Sequence, residues 1–174
     1  MAVNPSDTAP AFIALDAKFV IQTPKGQQVM DAENYFIGPD LNITHMNILR
    51  PGYLLTAIRI PSTWANAQFY FEKVRDRNVW DFPLMNVASA VKLSGGTIQD
   101  IRIAVNAVAA RPLRLKSVED SVRGKPPDAA TGEAAGRLAV QGAVPLQFNA
   151  YKIPLMRNLV KRSISGVKEA AWAS

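Results

Sequence analysis

Cysteine is absent from all 174 residues. That excludes disulfides, thiolate metal sites, iron–sulfur ligation and thiol nucleophiles together. Histidine is nearly absent, with His45 alone between Thr44 and Met46 in a stretch that reads as loop. Without a second histidine, neither a Ser–His–Asp arrangement nor a histidine-held metal is expected in this chain. No run approaches the roughly 18 uncharged apolar residues that a membrane span requires. The opening MAVNPSD lacks a basic segment followed by an apolar one, so no secretory signal is expected. The sequon at Asn42 therefore carries little weight.

Nucleotide and hydrolase signatures are missing as well. There is no GxGxxG, GxSxG or HExxH, and "SGGT" at 94–97 lacks the spacing and lysine of a phosphate loop. It reads as a turn. Glu119, Asp120 and Asp128 fall on predicted helix or loop with no pairing among them, so no general acid–base residue is nominated. No metal ligand is nominated either.

What is present describes a folded chain with a lopsided charge. Hydrophobic residues make up 48% and charged residues 20%, an ordinary balance for a globular protein. A chain of this length can bury roughly 70% of its unfolded surface, so a proper core is available. Residues 1–100 hold eight Lys/Arg against nine Asp/Glu, whereas 101–174 hold twelve against five. The basic second half could face nucleic acid or an acidic partner. Its cations are not interleaved with the aromatic residues of a base-stacking surface, which favours a solvated or partner-facing surface.

The pattern along the chain predicts an α+β fold. Residues 1–45 read as a small α/β piece. It has a short helix through Ala14 capped by Ser6 or Asp7, a hairpin turned at Lys25–Gly26, and a short helix stopped by Gly38 and Pro39. Leu54–Ile60 reads as a strand. A second is 68–76, with Phe69, Phe71, Lys73 and Arg75 on one face. Met85, Val87, Val91 and Leu93 share a face of the next. Ile101, Ile103, Val105 and Ala107 do so in the strand returning after "SGGT", which predicts an antiparallel hairpin. A small antiparallel sheet of three or more strands follows, with one apolar face. After Pro112 three helices are predicted, over 113–122, 129–140 and a last one with Leu155, Leu159, Val160, Ile164 and Val167 as its inner stripe. Strands followed by helices imply a sheet covered on one face by a helical layer.

Five short signatures, in order, carry a resemblance. These are "NPSDTAPAFIALDA", "LRPGYLLTAIRIP", "FEKVRDRNVWDFPLMNVASAV", "IQDIRIAVNAVAARPLRLKSVED" and "NAYKIPLMRNLVKRSI". Together they resemble the FAD-binding subunits of the molybdenum hydroxylases, the family of xanthine dehydrogenase, aldehyde oxidoreductase and CO dehydrogenase. The resemblance implies that 1–45 is the end of a FAD-binding domain. It implies that 46–174 is the C-terminal domain of the CO dehydrogenase flavoprotein type, a small antiparallel sheet packed with about three helices. In that family two glycine-rich stretches that hold the pyrophosphate precede the first signature. The expectation is therefore a C-terminal half, which alone binds FAD weakly or not at all.

By the same resemblance, Ser6 and Asp7 approach FAD, Leu54 and Leu55 lie against the flavin ring, and Lys73 reaches its edge. Each has a plainer reading: Ser6 and Asp7 as a helix cap, the leucines as core, Lys73 as a solvated strand residue. Arg77 and Asp81 keep the family spacing and read as a structural ion pair. Tyr53 stands where the family has glutamate, and Asn106 where glycine is common. The implied role is electron relay from iron–sulfur centres to an acceptor, with molybdenum-cofactor and iron–sulfur subunits as partners, and neither nucleic acid nor membrane. The compartment implied is the cytoplasm, or the periplasm if a partner carries the export signal. The alternatives are a non-catalytic docking domain of the same fold and a basic nucleic-acid-binding domain.

Overall fold

A computed structural model describes residues 3–166. A short helix, α1 (Ala9–Ala14), opens the chain with Pro10 in its first turn, where no helical N–H is forfeited. Strands β1 (Lys18–Thr23) and β2 (Gly26–Asp31) then form an antiparallel hairpin. Its turn is Pro24–Lys25, one residue earlier than the sequence reading. Gly26 opens β2 at φ 117°, a left-handed backbone that favours glycine. The four-residue α2 (Ala32–Tyr35) leads into an irregular stretch and then β3 (Leu54–Arg59). β3 pairs antiparallel with β1, so the first sheet has the order β2-β1-β3. β3 therefore belongs with the first unit, although it lies beyond the boundary at 45/46 expected from the sequence.

The core of this unit is aromatic. Phe19 sits edge-on to Phe12, Tyr35 and Phe36, with ring centroids 4.8–6.2 Å apart. Burying a phenylalanine of this kind stabilises the fold by about 2–3 kcal/mol, and edge-on partners add about 1 kcal/mol. Tyr53, the departure from glutamate, packs partly buried against the same cluster.

The second sheet runs β4 (Gln68–Val74), β5 (Met85–Ser94), β6 (Thr97–Asn106) and the short β7 (Leu113–Arg114), antiparallel throughout and in that order. Ser94 pairs with Thr97, leaving Gly95 and Gly96 at φ 57° and 77° in a two-residue turn. Both central residues are left-handed there, which selects the glycine pair. Met85, Val87 and Val91 share a core with Ile101, Ile103 and Val105. Over that core lie α3 (Lys116–Val122), α4 (Ala129–Ala139) and α5 (Lys152–Ser165), the helical layer expected from the sequence. Val167, assigned to the last helical stripe, lies outside the described residues.

Two expectations change. The helix predicted from 113 begins at Lys116, because Leu113 and Arg114 pair with Val105 and Ala104 and satisfy the open edge of β6. The opposite face of the sheet is covered too: Ala88, Ala90 and Ala104 are small enough for α1 to pack on β5 and β6. Ala104 also enters the aromatic core, so the two units share side chains.

Glycines inside α4, unfavourable by propensity, are explained by α5. A Cβ on Gly132 would stand 2.8 Å from the Lys161 carbonyl oxygen, and one on Gly136 would stand 2.5 Å from that of Arg157. The two helices touch backbone to backbone. The close approach outweighs a propensity cost of about 1 kcal/mol per glycine. Among the described residues no helix is long and apolar enough to cross a membrane.

A candidate flavin-site cleft

A row of polar side chains crosses one end of the second sheet on the α1 face, beyond the alanines of β5 and β6. Lys73 of β4 pairs in register with Asn86 of β5, which pairs with Asn106 of β6. Three polar groups thus cross the sheet side by side, and all three reach the segment just before α1. Asn106 Nδ2 donates to the Ser6 carbonyl at 2.8 Å, and Asn86 Nδ2 donates to the same oxygen at 3.3 Å. Lys73 Nζ donates to Asp7 Oδ2 at 2.6 Å. Both asparagines are fully buried, and their Oδ1 atoms accept from no protein group. The donations to the Ser6 carbonyl are the hydrogen bonds that hold their amides in place.

Ser6 itself points back into the helix. Its Oγ accepts from the N–H groups of Thr8 and Ala9 at 3.2 and 3.1 Å and so braces the entry to α1, although the N-cap position falls on Thr8 rather than on Ser6 or Asp7. Asp7 does not share that bracing. Its carboxylate leaves the helix end and pairs with Lys73, whose side chain is mostly buried.

Lys73 has a second partner, the Asp81 carbonyl oxygen at 2.6 Å. That contact ties it to the 75–82 loop. Asp81 organises the loop: its Oδ2 accepts from the N–H groups of Asp76 and Arg77 at 3.2 and 3.0 Å, and its Oδ1 pairs with Arg77 at 3.1 Å. The Arg77 side chain, followed by its backbone N–H, holds the Asp81 carboxyl below the usual carboxylate range, and Asp81 raises Arg77 in turn. Arg77–Asp81 is thus the structural ion pair expected. Arg75 donates to Asn78 at 3.2 Å, and the Leu84 N–H closes the loop on the Val74 carbonyl at 2.8 Å.

Between the Asp7 segment and this loop lies a half-open cleft of about 570 Å³. Its walls include Asp7, Lys73, Arg75 and Arg77, with Trp80 and Phe82 at its apolar side. The volume lies within the range of small-molecule sites, and mixed cations and aromatics suit a planar group that can carry negative charge. Of the residues nominated from the sequence, Asp7 and Lys73 line this cleft, and Ser6 supports it from the neighbouring position. Leu54 and Leu55 lie on β3, in the other sheet. Leu55 packs partly buried on the aromatic core, and Leu54 is 64% exposed. Asn86, Arg75, Trp80 and Phe82 escaped the sequence reading, because their roles depend on strand register and on a loop turning back. Among the described residues no group of three or more His, Asp or Glu could hold a metal ion.

Comparison with known proteins matches two adjoining stretches to family models. Residues 69–167 match the CO dehydrogenase flavoprotein C-terminal domain, and residues 1–63 match the FAD binding domain in molybdopterin dehydrogenase. The carbon monoxide dehydrogenase medium chain of Hydrogenophaga pseudoflava is 30% identical over 98% of this chain and 58% of its own length. The FAD-binding subunit of an aldehyde oxidoreductase from Escherichia coli (strain K12) is 28% identical over 99% and 50%. This chain thus spans about half the length of the curated relatives it matches. The solved carbon monoxide dehydrogenase of Hydrogenophaga pseudoflava superposes with a TM-score of 0.82 at 29% identity, over 97% of this chain and 56% of that one.

Proposed function

The chain belongs to the family of the CO dehydrogenase flavoprotein C-terminal domain, and from that premise we propose that it is part of the FAD-binding subunit of a molybdenum hydroxylase. It forms one wall of the flavin site that relays electrons from iron–sulfur centres to an acceptor. The observation that carries this reading is the 2.6 Å contact between Asp7 and Lys73. One lies in the stretch matched by the FAD-binding model, the other in the stretch matched by the C-terminal domain model. Their meeting forms a cleft.

When bound, the flavin supplies the redox chemistry. The work of this chain is positional and electrostatic. Lys73 holds a cation at the cleft, where it stabilises negative charge at a ring edge. Asp7 and the Asp81 carbonyl hold the ammonium in place. Arg77 and Asp81 keep the adjoining loop shaped. Asn86 and Asn106 grip the Ser6 carbonyl, and the Ser6 hydroxyl braces the entry to α1, so Asp7 leaves the helix end at a defined point. Of the two leucines on β3, Leu54 is exposed but does not line the cleft around Lys73, and Leu55 faces the core. Because the cleft is open on one side and its cations already have partners, FAD binds weakly to this chain alone. The molybdenum cofactor and the iron–sulfur clusters belong to partner subunits.

Affinity purification through a tag on this chain, in its native host, tests the proposal. The expected preparation carries molybdenum, iron and FAD, and Lys73→Gln lowers FAD affinity about tenfold, as for loss of one charge-assisted hydrogen bond. Partners recovered without any flavin would refute it and favour the docking role. The exposed Val144, Leu146 and Phe148 between α4 and α5 are apolar surface such a role could use. Neither reading involves nucleic acid.

A further inference from the structure

Trp80 is 99% exposed, with Val79 and Phe82 beside it also exposed. An indole left in water is normally on a slack segment, but this loop is tied down. Asp81 accepts from two backbone N–H groups and from Arg77, its carbonyl holds Lys73, and the loop base is closed between Leu84 and Val74. The neighbours of Trp80 are thus fixed before anything binds. An aromatic presented on a held backbone at the rim of a concave site is a surface shaped to be covered, since the ordering cost of the loop is already met.

We propose that Trp80 is a ring-stacking residue that covers one face of the flavin isoalloxazine, with Phe82 at its margin. This rests on the reading of the cleft as one wall of a flavin site. Three observations choose a flat small molecule over a protein surface. The site is a cleft rather than a plane. Its lining cations, Lys73, Arg75 and Arg77, outnumber its lining carboxylates, Asp7 and Asp81, by one, which suits a ring that takes on negative charge when reduced. The cleft is also continuous with Pro5 and Asp7, inside the stretch matched by the FAD-binding model. The position next to Asp81 then has a purpose: the ion pair that shapes the loop fixes the backbone that carries the indole.

The test uses the complex recovered through the tagged chain, with its flavin removed and added back. Emission assigned to Trp80, as the difference between wild type and Trp80→Leu, is quenched on adding FAD or FMN and unchanged by ADP, which lacks the isoalloxazine ring. Trp80→Leu weakens FAD and FMN alike by about tenfold, the scale of one aromatic stacking contact. Trp80→Phe restores most of that affinity. Thermal stability is unchanged in both variants, because the side chain is outside the core. Equal flavin affinity in wild type and Trp80→Leu would overturn the stacking role and leave the flavin wall standing. A wild-type complex that takes up no flavin would remove both.

Discussion

Ala107 adopts φ 65°, directly after Asn106. A left-handed backbone costs an L-residue with a Cβ roughly 1–2 kcal/mol, whereas glycine enters it freely. The resemblance marks Asn106 as the unusual residue, where the family commonly has glycine. In the folded chain Asn106 has an evident use, since it donates to the Ser6 carbonyl, and the backbone demand falls one position later. Ala107→Gly is expected to raise stability by about 0.5–1 kcal/mol, once the extra freedom of glycine in the unfolded chain is deducted. Urea denaturation measures it, and a lower midpoint would contradict the strain argument. Lys152 Nζ donates to the Ala107 carbonyl at 2.6 Å, so this turn also anchors the start of α5. At this scale Asp7 and Lys73 were legible in the sequence by their motif positions. Asn86 was not, because its neighbour across the strand is not its neighbour in the chain.

Among elements, the α4–α5 pair is held by the glycine contact and by one carboxylate. Glu133 is paired with Arg157, with Lys161 at 3.1 Å and with Arg137 at 3.1 Å. These partners, Arg157 foremost, lower its carboxyl from the ordinary 4.5 to about 2. A depressed carboxyl adds stability that is present above its unfolded value and is lost as pH falls through the folded one. The contribution of Glu133 should therefore persist at neutral pH and fade between about 4.5 and 2. A carbon NMR titration of its carboxyl should show a midpoint near 2, and the stability gap between wild type and Glu133→Gln should close over the same interval. A midpoint near 4 would mean that the fork around Glu133 does not form in solution. Legibility at this scale followed periodicity. Most strands and helices follow their expected periods, but β4 turns Tyr70 and Val74 to the core and leaves Phe69 and Phe71 exposed, and β7 could not be seen, because two extended residues after a proline have no period. It exists because β6 would otherwise leave an open edge.

Across the whole molecule, the two stretches matched by separate family models are sewn together. α1 packs on β5 and β6, and Ala104 completes the aromatic core. Arg102 donates through Nε and a terminal nitrogen to the Ile13 carbonyl at 3.0 and 2.8 Å. Burial, and then the nearby Arg114, lower its pKa, while Asp16 pulls the other way. Arg114 bridges Glu33 of the first unit to Glu119 of the second, at 3.2 and 2.8 Å. Glu119 is 1% exposed and also accepts from the Ile103 N–H at 2.9 Å. Breaking one side of such a buried pair typically costs about 3–5 kcal/mol, so the units are expected to stand or fall together. Urea unfolding followed by far-ultraviolet circular dichroism and by tryptophan emission should give one coincident transition. Two separated transitions would show that the units fold independently.

Composition and pattern alone determined that this chain has no thiol chemistry. They also set the alternation of strands and the inner faces of the helices, since these follow from residue chemistry and from periods of two and 3.6. Only the tertiary structure decided that Asp7 meets Lys73, that Asn86 and Asn106 hold Ser6, and that β3 crosses to the first sheet. It also decided that the backs of β5 and β6 are covered by α1. The physical reason is sequence separation. Asp7 and Lys73 are 66 positions apart, and Asn106 is 100 from Ser6. A contact between such residues leaves no periodic trace in the chain. It arises when strand register and packing bring distant polar groups to one end of one sheet.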